Sequence, residues 1–298
     1  MQKNISILLL LLIFELNASS QIKPKQTDLE IFGLKGKVKS VTGTSWFIDD
    51  GVEKDKTEIE SLFNESGFLT SQVKTYSSGK KNFLKCDGKG NPTELTDVNT
   101  NKTIYTQDAK GNTILEDNFA PEDGGKVKYL YDDNNNLIEK DKYDNADELT
   151  EKTTYKYDSM GNQIEYAYYL NVEDDGPSEK ETYDYDIKGN KTETDYYEYA
   201  GLVSLTYYSY NTNGDRVSSK EVGASGGLIN ADSLVWNEHH NLIYFKMQEG
   251  EITDAAITIY NYEYEYDTQG NWIKKTTYTV DGKVRTATEG ASMEIVYY

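Results

Sequence analysis

The sequence predicts an all-β repeat protein, built from antiparallel hairpin units that follow one another as a coiled meander or open shell. Three observations predict this class. A turn motif close to Tyr-Asp-x-x-Gly-Asn recurs about nine times, aromatic and β-branched residues alternate around it, and no segment after residue 20 has convincing helical periodicity. A β-propeller with two units per blade is the alternative arrangement.

The first twenty residues predict an export signal. Lys3 gives a positive start, Ile5 to Phe14 form an apolar run, and Ala18-Ser19-Ser20 supply small residues for cleavage. The run is shorter than the ~20 apolar residues of a membrane-spanning helix. We therefore expect removal of residues 1–20, no membrane insertion afterwards, and a periplasmic or extracellular location.

The rest of the chain is expected to form a short N-terminal leader, residues 21–36, and a β-repeat domain, residues 37–298. Its apolar content is unusual, because the sequence has 26 Tyr and only 8 Phe. An interior built largely from tyrosine favours a thin, curved sheet over a thick globule.

Charge narrows the range of partners. The formal net charge is −20, which repels phosphate backbones, so nucleic acid is not an expected partner. The single cysteine, Cys86, cannot form an internal disulfide. Its position in an aromatic slot of the repeat favours a packing role over a reactive thiol.

The turn slot defines the repeat. Its nine residues are 21 to 30 positions apart: Gly67, Gly90, Gly111, Asn135, Gly161, Gly189, Gly214, His240 and Gly270. Three positions earlier every copy has Asp or Asn, whose side chain can close a type I turn. The slot residue then takes a left-handed conformation, which Gly adopts freely and Asn and His tolerate.

Neighbouring slots predict the strands. Seven of the nine copies have Asn directly after the turn slot, and all nine have a β-branched residue two positions later, which favours the start of the return strand. Aromatic residues precede the turn, and the run Tyr262-Glu263-Tyr264-Glu265-Tyr266 alternates with the period of a strand. Each unit is therefore expected to be two antiparallel strands, giving about 18 or more.

These motifs resemble the YD repeat of the Rhs-type family. The segments Tyr155–Asn162 and Tyr264–Asn271 show the repeat most fully, and Gly33–Val38 is similar to the start of short exported members from Bacteroidota-type bacteria. In the large relatives the repeats wind into a hollow shell around a C-terminal toxin. The resemblance implies that fold and an extracytoplasmic setting. Only about 23 residues follow the last copy, so no toxin domain is expected.

Several residues that could carry chemistry also fit the repeat. His239-His240 could bind metal, but His240 occupies the turn slot. Asp132 begins a sequence like a calcium loop, but Leu137 stands where Gly is needed and Tyr143 where Glu is needed. No nucleophile elbow, phosphate loop or zinc spacing is present, so we expect no enzyme activity, no cofactor and no metal site.

Tyrosines supply the candidate binding site. Tyr143, Tyr169 and Tyr197 each lie eight positions after a turn-slot residue, on the strand face opposite the β-branched slot. We expect them to repeat at about 10 Å as a stacking platform for a glycan, unless a bulge changes their parity. The predicted function is a non-catalytic binding module for glycan or envelope protein. The alternative is a structural or surface-interaction protein.

Overall fold

The structure is a computed structural model that describes residues 26–120, 124–170, 175–250 and 256–298. The predicted export signal lies outside these residues. Within them the chain forms one helical turn, α1, and twenty strands. None of the helices in the described ranges is long and apolar enough to cross a membrane.

The elements follow one another along the chain with short connections. They are α1 Asp28–Ile31, β1 Val38–Asp49, β2 Val52–Phe63, β3 Leu69–Thr75, β4 Lys81–Cys86, β5 Pro92–Thr96, β6 Lys102–Gln107, β7 Thr113–Asn118, β8 Gly125–Tyr131, β9 Leu137–Tyr143, β10 Leu149–Tyr157, β11 Gln163–Tyr169, β12 Glu179–Tyr185, β13 Lys191–Glu198, β14 Gly201–Tyr210, β15 Arg216–Gly223, β16 Leu228–Trp236, β17 Leu242–Glu249, β18 Ala256–Tyr266, β19 Trp272–Asp281 and β20 Val284–Tyr297.

All twenty strands belong to one antiparallel sheet that closes on itself. Each strand pairs with the next along the chain, and β20 also pairs with β1 over nine registered positions from Val38↔Tyr297 to Phe47↔Glu289. The predicted all-β meander is confirmed, and its two ends meet instead of leaving an open shell. A continuous sheet is not the separate blades of a propeller. Closed sheets of this strand number are too wide for their own side chains to fill, so the ring encloses a lumen.

Nine connections with one geometry form one end of the ring, which we call the motif rim. In each, the turn-slot N–H donates to the carbonyl three residues earlier at 2.9–3.2 Å. The nine slot residues have φ between 59° and 90°, including Asn135 and His240. A shift of register directly precedes every one of these turns, at the slot before the first turn residue.

Two connections at the opposite end repeat the same turn. Asp97 Oδ1 accepts the Asn99 and Asn101 N–H groups, and Thr100 has φ 68°. Asp144 and Asp147 form the equivalent turn between β9 and β10. The nine-copy motif does not include these two turns, because Thr100 and Asp147 replace the glycine that marks it.

The apolar core lies at the seam where the ring closes. Its buried members are Leu29, Val38, Val41, Phe63 and Leu69. The leader reaches across this seam, since the Leu29 N–H donates to the Gly67 carbonyl and Lys35 exchanges two hydrogen bonds with the Asn271 side chain. It thereby joins the first repeat to the last.

The two faces of the sheet differ in exposure. Cross-strand partners share a face, and one face carries a set of rings that we call the aromatic face. Its rings are Tyr129, Tyr155, Tyr166, Tyr183, Tyr208 and Tyr262. Burial raises the pKa of Tyr166 and Tyr262 to about 12. On the other face Leu130 is 54% exposed and Val235 is 48% exposed. Side chains crowd on the concave side of a closed sheet, so the aromatic face lines the lumen.

Candidate binding cleft in the concave face

A cleft of about 450 Å³ opens on the aromatic face between β12 and β15. Cross-strand pairing assembles it, because Glu181 lies opposite Tyr196 and Thr206 lies opposite Glu221. The lining residues are Glu179, Glu181, Lys191, Thr194, Tyr196, Ser204, Thr206, Tyr208 and Glu221. They come from four consecutive strands, so the cleft depends on the ring and not on any single loop.

Side-chain size shapes the cleft. Thr194 and Ser204 are buried and short, and they form the floor. The longer Tyr196, Tyr208 and Glu221 stand around this floor as walls, since successive same-face residues project from the sheet side by side. The Thr194 and Tyr208 hydroxyls lie 3.3 Å apart. The result is a polar depression bordered by rings.

Electrostatics in the cleft favour neutral phenols beside carboxylates. The Tyr183 hydroxyl donates to Glu181 Oε2 at 2.7 Å, and burial raises the Tyr183 pKa. Burial and the hydrogen bond to Glu198 raise the pKa of Tyr196 to about 12. These hydroxyls therefore remain protonated donors at physiological pH.

Lys191 is the cationic side chain lining this cleft. Its Nζ lies 3.7 Å from the centroid of the Tyr183 ring. Burial lowers the pKa of Lys191, and the Glu181 charge opposes that shift. Contact with a ring face is a favourable position for an ammonium group that has lost part of its water. The cleft thus combines one cation, three carboxylates, hydroxyls and ring faces.

The aromatic slot before each motif turn has a structural role that the sequence analysis missed. Tyr131, Tyr157, Tyr185, Tyr210 and Trp236 donate to the carbonyls of Thr113, Leu137, Gln163, Lys191 and Arg216 at 2.6–3.0 Å. Each acceptor is the residue directly after the motif in the preceding unit. The signal in the sequence is the choice of Tyr and Trp, which carry a donor, and the substitute Gln107 donates to Pro92 in the same way.

Strand pairing explains why these donors are needed. The β9–β10 ladder ends at Thr154↔Glu139, short of the motif rim. Leu137 lies beyond that point, so its carbonyl has no backbone partner across to β10. The Tyr157 hydroxyl bonds this carbonyl at 2.8 Å and so links two successive hairpins. Tyrosine therefore replaces backbone pairing between units near the rim.

The predicted tyrosines Tyr143, Tyr169 and Tyr197 lie half-buried on the convex face, opposite the aromatic face. Lys128 Nζ lies 4.1 Å from the Tyr143 ring centroid, and Lys180 Nζ lies 4.3 Å from that of Tyr197. Lysines thus already contact two of the three ring faces.

Strand register also staggers these rings. Tyr143 pairs with Leu149 on β10, whereas Tyr169 pairs with Lys152 on the same strand. A three-residue offset adds about 10 Å along the strand to the spacing across it. The structure places the three tyrosines on one face, but it does not bring them into one level row. Closure of a sheet requires such stagger.

The other candidate residues belong to the turns and the seam. His240 Nδ1 lies 2.7 Å from Asp215 Oδ1 of the preceding turn, and the His239 ring lies 4.4 Å from that of Tyr266. Cys86 packs against the seam core. Asp132 Oδ1 accepts the Asn136 N–H within its turn. In the described ranges no group of three or more His, Cys, Asp or Glu residues is placed to hold a metal ion.

Comparison with solved structures returns much longer toxin chains and several chains of similar size. The crystal structure of TcdB2-TccC3 shares 12% identity over 80% of this chain and 15% of that chain, with a TM-score of 0.42. The Photorhabdus luminescens Tc holotoxin pore shares 14% identity over 83% of this chain and 16% of that chain, with a TM-score of 0.41. This chain therefore spans about 15% of the length of the toxin chains that it matches.

A porin-like protein from Bacteroides uniformis is similar along nearly its whole length. It shares 13% identity over 88% of this chain and 98% of that chain, with a TM-score of 0.41. No protein-family model and no curated protein sequence matches the chain.

Proposed function

We propose that this chain is an exported, non-catalytic binding module of the YD-repeat type, and that its concave cleft binds a carbohydrate. The observation that carries the proposal is the cleft itself, where tyrosine rings, hydroxyls and carboxylates converge from β12 to β15. Binding sites are typically concave and hold a few convergent polar groups among ring faces. The apolar run of residues 5–14 supports export.

Carbohydrate matches the chemistry of the lining. A sugar ring presents C–H groups that pack on an aromatic face and hydroxyls that both donate and accept hydrogen bonds. Tyr196 and Tyr208 supply faces, and Glu179 and Glu221 supply acceptors. Thr206 adds a hydroxyl that can serve either role. Closed sheets of about 16 or more strands leave a channel, and such a channel would give an extended chain access to this cleft.

The positions of the carboxylates favour binding over catalysis. Glu181 accepts the Tyr183 hydroxyl, and Glu221 accepts the Asn230 amide at 2.5 Å. Both carboxylates are therefore already engaged as hydrogen-bond acceptors of neighbouring side chains. A glycosidase needs one of its two carboxyl groups kept protonated as an acid. Catalysis is for this reason the least favoured reading of the cleft.

The test is a glycan-binding screen of the chain beginning at residue 21, by affinity electrophoresis in soluble polysaccharides. We expect at least one glycan to retard the protein. The double variant Tyr196→Ala/Tyr208→Ala should then lose the retardation while keeping the wild-type circular dichroism spectrum. The convex-face variant Tyr143→Ala/Tyr169→Ala/Tyr197→Ala is the matched control and should keep it.

The other possible results of this screen would support other functions. If the convex triple variant alone loses binding, the outer tyrosines are the platform and the cleft proposal fails. If no polysaccharide retards the wild-type protein, carbohydrate binding is wrong. Capture of an envelope protein would then support a protein partner, and concentration-dependent self-association would support a structural role. Intact mass of protein from the native host tests export, and retention of Met1 would contradict it.

A further inference from the structure

A second cavity, separate from the cleft, lies beneath the leader at the seam. Its volume is about 180 Å³, and its lining is mostly apolar. Ile31, Phe32 and Leu34 of the leader cover one side. On the other side the aromatic face of β1, β2 and β20 contributes Gly43, Ile59 and Met293, among others.

The cavity exists because a glycine stands at the centre of three paired strands. Gly43 of β1 lies opposite Ile59 of β2 and Met293 of β20, so a side chain is missing between two large ones. The leader does not fill this gap. It is held above the sheet by the Leu29–Gly67 hydrogen bond and by the pair between Lys35 and Asn271.

Water is a poor occupant of this space. The lining side chains carry two polar groups, the Trp272 indole N–H and the Ser61 hydroxyl, whose Oγ already accepts the Gln72 Nε2–H at 3.0 Å. A buried water needs two to four polar partners, and a space of about 180 Å³ would hold several waters, which two side-chain groups cannot satisfy. Apolar walls without a partner also lose dispersion contacts, and an apolar occupant would restore them.

We propose that this cavity binds a compact, uncharged, apolar molecule of about the size of benzene. An engineered apolar cavity of about 150 Å³ in another protein stays dry and binds benzene, so a volume of 180 Å³ is sufficient. Entry is expected beside Ile31, which is 56% exposed although it lines the cavity. A charged ligand is excluded, because the lining offers no ion to pair with it.

Thermal unfolding with benzene as the probe tests the proposal. A ligand that binds only the folded protein raises the Tm in proportion to the logarithm of its concentration. We expect a concentration-dependent rise for the wild type and no rise for Gly43→Val, whose side chain would fill the gap. Thr44→Val, on the opposite face of the same strand, is the matched control and should behave as the wild type.

A fluorescence measurement keeps the proposal testable if Gly43→Val does not fold. Trp272 lines the cavity, so bound bromobenzene should quench its emission at concentrations that leave a Trp272→Phe variant unchanged. The proposal fails if benzene leaves the wild-type Tm unchanged, if folded Gly43→Val is stabilised as much as the wild type, or if quenching is the same with and without Trp272. None of these results bears on carbohydrate binding in the cleft.

Discussion

The seam differs from the repeats because it adds a buried apolar core to the hydrogen bonds that hold both regions together. At the seam, Leu69 and Val38 are fully buried, and the Phe32 and Phe63 rings meet edge to face with centroids 5.8 Å apart. In the repeats from β8 to β19, hydrogen bonds between turns and from tyrosine hydroxyls to carbonyls link one hairpin to the next. The difference also appears in the motif, because the aromatic slot has Phe63 and Cys86 at the seam and hydrogen-bond donors from Gln107 onward.

Chain connectivity explains this division. Neighbouring repeats are joined by the chain, so modest local hydrogen bonds suffice to order them. At the seam the first strand, β1, pairs with the last, β20. Closing so long a loop costs more conformational entropy than joining neighbouring repeats. Burial of apolar side chains offsets that cost, and the leader contributes apolar side chains of its own to the same core.

The largest expected effect is therefore the loss of a seam side chain. Leu69→Ala should lower the free energy of unfolding by about 2–5 kcal/mol, since Leu69 has no exposed surface and a cavity would remain. Denaturant midpoints measure the change. Leu130→Ala is the control, because Leu130 is 54% exposed on a repeat strand and should change stability by no more than about 0.5 kcal/mol. Equal losses in the two variants would show that the seam is not the core.

The sequence predicts the turns well because their physics is local. Asp158 and Asn162 lie four residues apart, and their contacts need only the intervening turn. One copy has the two residue types exchanged and keeps the same hydrogen bond. Its first turn residue, Asn211, donates to Asp215, whereas most copies have Asp first and Asn last. Periodicity thus predicts the hairpins and their order.

Closure and the cleft could not be predicted, because they depend on distant strands. Pairing of Val41 with Ile295 requires the summed curvature of all the units, which no single repeat encodes. The position of the leader has no periodic signal, although Thr27 and Glu30 form a capping box that predicts its helical start. Parity correctly separates Tyr169 from the aromatic face. The three-residue offset between Tyr169 and Tyr143 along β10 depends on how neighbouring strands pair, so the sequence does not predict it.

The next effect concerns the turn slot. Gly161 has φ 84°, where a β-branched residue is strained, so Gly161→Val should cost well over ~1 kcal/mol. Asn135→Gly should be close to neutral, because relief at φ 71° is offset by loss of two exposed hydrogen bonds to Asn112. Denaturant midpoints of both variants decide. Wild-type stability in Gly161→Val would contradict the shared turn geometry.

A smaller effect is expected from one inter-unit hydrogen bond. Tyr157→Phe keeps the ring but removes the donor to the Leu137 carbonyl, so the loss should be about 0.5–1.5 kcal/mol. Tyr207→Phe is the matched control, since Tyr207 is 42% exposed on the convex face. If both variants match the wild type in urea, tyrosine hydroxyls do not hold the repeats together.

The smallest expected effect is a change in pH dependence from one motif carboxylate. Hydrogen bonds from the Asn190 side chain and backbone lower the pKa of Asp186 in the folded protein. A folded pKa below the unfolded value of about 3.9 stabilises the protein above pH 4, and that contribution is lost as the pH falls through the folded pKa.

Asp186→Asn removes this contribution while keeping the turn, because Asn64 and Asn211 occupy the same slot in other copies. The variant should therefore be slightly less stable than wild type at pH 7, and the two denaturant midpoints should converge between pH 4 and pH 2. Asp133→Asn, at an exposed second position of another turn, removes an equal charge without removing a turn acceptor and should not show this convergence. If the denaturant midpoint of Asp186→Asn lies below that of the wild type by the same amount at every pH, the amide fits the turn less well and the carboxylate charge does not stabilise the turn. Convergence in Asp186→Asn alone would instead assign part of the acid sensitivity of the repeats to the first residue of their shared turn.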